Sequence, residues 1–341
     1  IANGLVALSL SAAGDVESVV DLRCGRELLR AGEHAGRLRI APDTPVEYDA
    51  WDLEQWTAAR SVPLPDAQEV AVLDSGPLVA SVRVLRSFGG SRAEQTITLR
   101  ADSARIDFAL EVDWQEREEL LTIDFPLDIR ADSAACEVQF GHENRPTHRN
   151  TTWDDAKFEV CAQRWVDYSE PAFGAAVLND GRHGHALQDG GVRVSLLRAP
   201  RYPDPDADRG VHRTTLSLLP HGPGLAEVVA EAEALNRPLR VVSGTASQVV
   251  PPLLSVSGEG VQVSAVKPAD DDSGDVVLRF WSAAGDRIAA SVGTDHRIAG
   301  AVLCNALEEP DPDAPEVEIV DGEAVVQLRP HRFATLRLAT G

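Results

Sequence analysis

The sequence has no methionine, few aromatic side chains and no long apolar run. Aromatic residues make up 5% of its 341 residues, and no window approaches the roughly 18 consecutive apolar residues of a membrane-spanning helix. We therefore expect no membrane partner. Residues 1–10 already alternate like a strand, without an initiator methionine or a signal-peptide pattern. We therefore expect a processed product or a fragment of a longer protein.

Several signatures of known chemistry are also missing. There is no GxGxxG after a strand, no Walker motif, no GxSxG and no HExxH, so nucleotide, phosphate and serine-hydrolase functions have no support. His183 and His185, two residues apart, do not predict a metal site without further ligands. The four cysteines are Cys24, Cys136, Cys161 and Cys304. They form no CxxC pair, which favours a reducing compartment, the bacterial cytoplasm, although spacing alone does not exclude disulfide bonds.

Negative charge dominates what the sequence does contain. The formal net charge is −22, whereas nucleic acids and anionic membrane surfaces are bound by basic faces. We therefore expect no nucleic-acid partner. Neutral sugars are compatible with this charge, and a dispersed acidic surface that keeps a cytosolic protein soluble is its simpler explanation.

Apolar residues, 43% of the chain, recur with the two-residue period of β-strands. Between residues 105 and 113, for example, Ile106, Phe108, Leu110 and Val112 fall on one face and charged residues on the other. Turn signals separate such segments about every 8–12 residues, and residues 5–22 are typical of a hairpin. The pattern predicts an all-β sandwich or barrel.

One helix and one domain boundary interrupt this pattern. Apolar residues recur at helical spacing over residues 224–236, which predicts a helix that Pro238 ends. Polar residues and prolines cluster over residues 244–252, so we predict one domain over residues 1–244 and a second over 253–341. The acidic turn at residues 268–274 lacks the ligand spacing of a calcium loop and is predicted to be a plain hairpin turn.

The segment 143–154 is the most informative part of the chain. Its candidate binding residues are Arg145, His148, Arg149 and Asn150. The arginines can form paired hydrogen bonds with carboxylates or sugar hydroxyls, and the histidine can exchange a proton near neutral pH. We predict a loop rather than a strand here. A purely structural role, in which residues 154–155 pair with the arginines, is the alternative.

A second segment, residues 48–56, joins aromatic rings to carboxylates. Its candidate sugar-binding residues are Tyr48, Asp49, Trp51 and Asp52. Aromatic faces stack on the apolar faces of sugar rings, and carboxylates accept hydrogen bonds from sugar hydroxyls. An aromatic patch buried under a loop is equally compatible with this composition. The carboxylates lie too close in sequence to establish a glycosidase acid and nucleophile.

These passages resemble the C-terminal β-rich half of the family 38 glycoside hydrolases, the α-mannosidases. The most specific passage is residues 145–154 with 158–160 and 164–167. Further passages are residues 1–28, 48–52, 174–184, 195–200 and 328–338. The resemblance extends over essentially the whole chain.

The resemblance implies an all-β fold, with a large mutarotase-like supersandwich over residues 1–244 and a small terminal β-sandwich over 253–341. It also implies the C-terminal fragment of a retaining α-mannosidase that acts on mannose-containing oligosaccharides. In this family the carboxylate nucleophile and a zinc or other divalent metal belong to an N-terminal catalytic domain. We therefore assign no catalytic residue and no metal ligand in this chain, and expect the fragment alone to be inactive.

The partner implied is that N-terminal domain, and the eight candidate residues are expected to line or support the cleft that the two share. Family members often assemble through such domains, which leaves a homo-oligomer open. Two other functions are also left open. The supersandwich is the fold of aldose 1-epimerases too, in which a His acid and a Glu base act, and His148 and Glu143 would take these roles. The chain could instead be a stand-alone carbohydrate-binding or assembly module.

Overall fold

The computed structural model describes residues 1–187, 190–244, 252–295 and 297–340, and strands dominate these ranges. The all-β prediction is therefore confirmed. The strands before residue 222 are β1 (Val6–Leu10), β2 (Val16–Asp21), β3 (Arg26–Glu27), β4 (Arg37–Pro42), β5 (Val62–Pro63), β6 (Glu69–Ser75), β7 (Val79–Phe88), β8 (Ser91–Arg100), β9 (Ile106–Trp114), β10 (Glu119–Pro126), β11 (Ser133–Val138), β12 (Gly141–Pro146), β13 (Val160–Cys161), β14 (Trp165–Glu170), β15 (Phe173–Asn179), β16 (Gly184–Ala186), β17 (Gly191–Leu197) and β18 (Gly210–His221).

Eight further strands follow residue 254 in the described ranges. They are β19 (Ser255–Ser257), β20 (Val261–Pro268), β21 (Val276–Ser282), β22 (Ile288–Gly293), β23 (Ile298–Cys304), β24 (Glu318–Val320), β25 (Glu323–Leu328) and β26 (Phe333–Thr340). The helices are α1 (Gln55–Ala59), α2 (Thr152–Asp155) and α3 (Ala226–Asn236). None of these helices is long and apolar enough to cross a membrane. The predicted helix corresponds to α3, whereas the two short ones were not predicted.

The chain divides into two compact units. The first comprises Ile1–Glu137, Asn144–Pro223 and Glu231–Asn236, and the second Val138–Glu143, Gly224–Ala230 and Arg237–Gly341. Most of the predicted boundary at residues 244–252 lies outside the described residues.

Antiparallel sheets build the first unit, and two of them position the site. One has six strands in the order β13-β16-β17-β10-β4-β5, and the other has nine in the order β12-β11-β14-β15-β18-β9-β8-β7-β6. Phe108 on β9 and Phe125 on β10 meet edge to face, with ring centroids 5.3 Å apart. These buried rings join the apolar faces of the two sheets into one core.

Strand β9 shows the predicted alternation with one exception. Ile106, Phe108, Leu110 and Val112 are all buried, as expected. Asp107, on the opposite face, is also buried because Arg105 Nε and Ser217 Oγ each donate a hydrogen bond of 2.7 Å to its Oδ1. The face opposite to the apolar residues is therefore covered here by ion pairs rather than by water.

Two four-stranded sheets build most of the second unit, with orders β19-β22-β25-β24 and β20-β21-β26-β23. Their core includes Phe280, Val292, Val326 and Leu336. Residues 253–266 do not form one continuous strand. Two glycines with positive φ, at 258 and 260, turn the chain there, so that β19 and β20 belong to different sheets.

The prediction of a loop throughout residues 143–154 was wrong at both ends. Its first residues belong to β12, which ends at Pro146 and is an edge strand of the nine-stranded sheet. An edge strand tolerates a proline and a run of polar residues because one side of it needs no ladder partner. The last residues begin α2, and the irregular segment is confined to residues 147–151.

Candidate functional site

A cleft of about 350 Å³ in the first unit is lined by charged side chains of the six-stranded sheet. Its strands alternate, so Leu38, Ile123 and Val194 are buried in the core, and the charged residues between them occupy the opposite face. The charged lining residues on these strands are Arg37 and Arg39 on β4, Asp124 on β10, and Arg193 on β17.

The strand register brings these charges into one row. Asp124 lies directly opposite Arg193 on one neighbouring strand and directly opposite Arg37 on the other. Arg193 donates two hydrogen bonds to the Asp124 carboxylate, of 2.7 Å from Nε and 3.2 Å from Nη2. Arg39 Nε lies 3.6 Å from the same carboxylate. One carboxylate therefore serves two guanidinium groups directly.

Arg37, the remaining arginine of the row, is held by Asp15 and His34, which lie outside the row. Arg37 Nη2 lies 3.4 Å from Asp15 Oδ2, and Asp15 also pairs with Arg86 at 3.1 Å. Arg37 Nη1 lies 3.1 Å from His34 Nδ1. Because a guanidinium group only donates hydrogen bonds, this His34 nitrogen acts as the acceptor and carries no proton.

Positive charge accumulates in this part of the cleft. Burial is the main reason why the pKa of Arg39 lies below its usual value, and the neighbouring charges of Arg193 and Arg37 lower that pKa further, against the opposing effect of Asp124. Arg39 is also anchored to Ser61, which directly precedes β5, by hydrogen bonds of 2.8 Å to Oγ and 2.6 Å to the carbonyl oxygen.

A protonatable carboxyl group lies next to the same sheet face. Ser195, two residues beyond Arg193, donates a 2.7 Å hydrogen bond from Oγ to Glu159 Oε2. Burial raises the pKa of Glu159, although the serine hydroxyl and nearby arginines oppose the rise. Glu159 had been noted only as part of a family motif, and its chemistry depends on a burial that the sequence does not show.

The 48–56 segment forms a tight, largely exposed loop. Tyr48 takes a positive φ of 51°, and its carbonyl oxygen accepts hydrogen bonds from the backbone N–H groups of Trp51 and Asp52. The side chains of Tyr48 and Trp51 are therefore turned outward, each 65% exposed. Asp49 faces the protein instead, where its Oδ2 accepts the backbone N–H groups of Arg201 and Tyr202.

Arg198 anchors this loop, a role that the sequence did not reveal. Its guanidinium group pairs with the buried Asp43, with 2.6 Å between Nε and Oδ2. It also donates to backbone carbonyl oxygens of the loop, at Ala50 and Asp52 among others. Arg198 follows strand β17 directly, so the loop is tied to the sheet that carries the cleft.

The residues that follow β12 are fixed by local hydrogen bonds. Thr147 Oγ1 donates to the carbonyl oxygen of Ala131 over 2.6 Å. Thr151 begins α2 with a capping box, in which its side chain accepts from Asp154 N and Asp154 Oδ2 accepts from Thr151 N. The Thr151 hydroxyl is the main reason why the pKa of Asp154 lies below its usual value. The His148 ring lies 3.6 Å from this carboxylate and accepts the Asn150 N–H at 3.4 Å.

Asp155 links the two sequence segments. Gln55, the first residue of α1, donates from Nε2 to Asp155 Oδ1 over 3.0 Å. Arg149 Nη1 lies 3.7 Å from the same oxygen. Gln55 and Arg149 are also both lining residues of the cleft. The structure therefore brings the two segments together at the cleft.

Of the eight candidate residues, Arg149 alone is among the residues that line this cleft in the described part of the chain. Of the others, Arg145 lies on β12, and His148 and Asn150 lie on the 147–151 segment that bears Arg149. The remaining four lie on the 48–56 segment that bears Gln55. Sequence reasoning missed Arg37, Arg39, Asp124 and Arg193. The available signal was at least one charged residue inside each of three largely apolar strands, but the strand pairing that assembles them was not readable.

The described residues contain no group of three or more His, Cys, Asp or Glu side chains able to hold a metal ion. The rings of His183 and His185 have different hydrogen-bond partners. His185 is fully buried, with Nδ1 3.1 Å from the carbonyl oxygen of His183 and Nε2 3.5 Å from Asn179 Nδ2. His183 Nδ1 instead lies 3.2 Å from the carbonyl oxygen of Ala162. The chain thus offers no fit for a metal ion among these residues.

Comparison with known families gives two matches along the chain. Residues 1–206 match the glycosyl hydrolases family 38 C-terminal domain. Residues 260–336 match the glycosyl hydrolases family 38 C-terminal beta sandwich domain. Together the two matches extend through both parts of the chain.

Similar proteins agree with these matches. The chain is 34% identical to alpha-mannosidase 2C1 of Homo sapiens over 98% of its own length, and 30% identical to an alpha-mannosidase of Saccharomyces cerevisiae over 86%. It spans about a third of the length of these curated relatives, 33% and 30% respectively. The crystal structure of an alpha-mannosidase from Enterococcus faecalis superposes with a TM-score of 0.82 at 16% identity, covering 99% of this chain and 42% of that one. This last likeness supports the fold.

Proposed function

Because the chain belongs to glycosyl hydrolase family 38, as a match to that family's C-terminal region, we propose that it is the C-terminal part of a retaining α-mannosidase. In this proposal the nucleophile and the metal site belong to an N-terminal catalytic domain. The relatives named α-mannosidase are about three times as long as this chain, which leaves room for such a domain. The chain contributes binding groups and supports their positions.

One observation carries the binding role: the shared contact of Gln55 and Arg149 with Asp155 at the edge of the cleft. The two segments that carry the candidate residues meet there, although Gln55 and Asp155 lie 100 residues apart. A loop contact that only stabilised the fold would not need both partners to face a cavity. We therefore assign the Arg149 and Gln55 side chains to the wall of the mannoside-binding cleft.

The chemistry of this wall suits sugar hydroxyls. Arg149 and Arg193 offer N–H donors in a fixed planar fork, and Asp124 offers acceptor oxygens within the same cleft. The exposed rings of Tyr48 and Trp51 supply faces that can stack on sugar units beyond the terminal one. In this proposal, Arg145, His148 and Asn150 support the 147–151 segment, and Asp49 and Asp52 support the 48–56 loop.

The remaining parts of the proposal concern the whole protein. Its substrates are mannose-containing oligosaccharides, its pathway is mannose metabolism and its metal, bound outside this chain, is zinc or a similar divalent ion. A bacterial cytoplasmic location agrees with four cysteines that form no disulfide bond within the described residues. Assembly into a homo-oligomer, as the family resemblance implies, belongs to the proposal as well.

The experiment is a comparison of two purified proteins, the full-length protein and the 341-residue chain. We expect the full-length protein to hydrolyse 4-nitrophenyl α-mannoside with retention of configuration, and the chain alone to release no nitrophenol. Addition of a chelator is expected to abolish the activity of the full-length protein. A full-length protein that ignores α-mannosides, or an isolated chain that hydrolyses them, would contradict the proposal.

A further inference from the structure

Among the described residues, most of the charged side chains that line the cleft of the first unit are arginines. The guanidinium groups that line it belong to Arg30, Arg37, Arg39, Arg149 and Arg193, whereas its lining carboxylates belong to Glu33 and Asp124. Three further carboxyl groups lie behind or beside the lining: Asp155 at Arg149, Asp15 at Arg37 and Glu159 near Arg193. Asp15 is shared with a sixth arginine, Arg86. Among these described residues, positive charges therefore outnumber negative ones in a chain whose net charge is −22.

Histidine does not change this balance. His34, the histidine of the lining, accepts a hydrogen bond from Arg37 at Nδ1 and is therefore neutral. Several like charges held in a partly buried cleft repel one another more strongly than they would in water. A bound anion would remove that repulsion.

Arg30 is the residue that points to such an anion. Its Nε is buried and has no hydrogen-bond partner among the described residues. Its guanidinium group packs against Gly190, where an added Cβ would come within 3.3 Å of Nη1. A buried N–H group without an acceptor is costly, so this donor is expected to meet its acceptor in a ligand.

The geometry points to an anion-binding site in this cleft: we propose that it binds a phosphate or carboxylate group on a molecule of monosaccharide size, with Arg30 as a principal donor. Arginine forks match the oxygens of both groups. A volume of about 350 Å³ suits a small ligand rather than a polymer segment. The sugar part of this assignment rests on the proposed function, whereas the anion part rests on the charges alone. For an α-mannosidase, the site would favour mannosides that carry an acidic group.

The test is calorimetric titration of the full-length protein with inorganic phosphate, mannose 6-phosphate and mannose. We expect saturable binding of mannose 6-phosphate, at least about tenfold tighter than that of mannose, since hydrogen bonds between charged groups exceed neutral ones by this order. Arg30→Gln is expected to weaken phosphate and mannose 6-phosphate binding about tenfold, and Arg30→Lys to retain most of it. Arg213→Gln, which removes an exposed arginine paired with Glu111 away from the cleft, is the matched control and should bind like the wild type.

Thermal unfolding in phosphate-free buffer separates a ligand site from a structural one. Because Arg30 Nε has no hydrogen-bond partner among the described residues, Arg30→Gln should unfold at the same or a higher temperature than the wild type. Absence of binding by both phosphate compounds, or equal binding by wild type and Arg30→Gln, would overturn the proposal. Binding of inorganic phosphate alone would support a free-anion site and overturn the sugar part. Hydrolysis of the neutral 4-nitrophenyl α-mannoside by the same preparation reports separately on the proposed function.

Discussion

Gln55 and Asp155 share a 3.0 Å hydrogen bond between Nε2 and Oδ1, although 100 residues separate them in the sequence. Gln55 begins α1 and Asp155 ends α2, so the bond joins the two segments that carry the candidate residues. Arg149 approaches the same oxygen. Gln55 and Arg149, which lie on different segments, therefore share one acceptor oxygen.

Gln55 and Asp155 should affect substrate binding through their mutual hydrogen bond. In the full-length protein, Gln55→Leu and Asp155→Asn are each expected to raise KM for 4-nitrophenyl α-mannoside about threefold, with kcat nearly unchanged, because they loosen Arg149 without touching the reacting bond. The double variant should be no worse than the more severe single variant. Independent, additive effects in this cycle would show that the two residues do not act through their mutual contact.

Arg198, which anchors the 48–56 loop from outside it, is expected to matter more for stability than any residue of the loop itself. Arg198→Gln leaves the buried Asp43 without its ion-pair partner and removes donors to the loop carbonyls. We expect a loss of about 3 kcal/mol in the free energy of unfolding, measured by urea denaturation. Arg213→Gln, at an exposed ion pair, should change it by less than about 1 kcal/mol. Equal effects of the two substitutions would refute the anchoring role.

His185 should make the protein sensitive to mild acid. Burial lowers its pKa to about 4, and its neighbours suit a neutral ring that donates from Nδ1 to a carbonyl oxygen and accepts at Nε2 from Asn179. In the unfolded chain the ring has a pKa of about 6.5. The folded state therefore binds fewer protons between these values, so this stabilisation is complete above a pH of about 6.5 and is lost as the pH falls towards about 4.

The expected loss from His185 is on the order of 3 kcal/mol across this window. Urea denaturation at a series of pH values measures it, with His185→Asn as the variant that cannot titrate and His148→Asn, at a half-exposed ring, as the control. The His185→Asn variant should lose the corresponding part of the pH dependence, and the control should keep it. A ring resonance of His185 that titrates near the ordinary pKa of about 6.5 in the folded protein would contradict the assignment.

Alternation along single strands was enough to predict the fold class and the buried face of β9, and helical spacing of apolar residues was enough to predict α3. The cleft was not predictable in the same way, because Arg37, Asp124 and Arg193 become neighbours only through the pairing of three strands that are distant in sequence. Pairing is decided by the packing of whole sheets, which a single sequence does not display. In the sequence, the charged residues inside these apolar strands were the only sign of the cleft.

Local sequence patterns also did not predict every feature of the candidate loops. The capping box formed by Thr151 and Asp154 was readable from spacing, yet the strength of the polar pattern led to a loop prediction. Arg198 carried no distinctive motif, and its partner Asp43 lies 155 residues away. Two candidate residues, Tyr48 and Trp51, are exposed as a sugar-stacking role requires, while the alternative of a buried aromatic patch does not fit their 65% exposure.

Trp51 should contribute more to the binding of oligosaccharides than to the binding of simple aryl mannosides. Trp51→Ala removes an exposed ring on the 48–56 loop, and we expect KM for a mannose oligosaccharide to rise about fivefold, while KM for 4-nitrophenyl α-mannoside changes by less than about twofold. Leu307→Ala, which truncates an 80% exposed side chain in the second unit, serves as the control. A uniform change in both KM values, or none, would contradict a role of Trp51 in binding the sugar units beyond the terminal one.

The most direct measurement is the steady-state kinetics of Arg149→Gln in the full-length protein with 4-nitrophenyl α-mannoside. If this chain forms a wall of the mannoside cleft and contains no nucleophile, KM should rise roughly tenfold, with measurable kcat retained, since a charged hydrogen bond to the substrate is lost while the bond-breaking groups remain. Arg213→Gln should match the wild type. Wild-type KM and kcat in Arg149→Gln would contradict the binding role of the cleft, and complete loss of kcat in a stably folded variant would contradict the placement of the catalytic groups outside this chain.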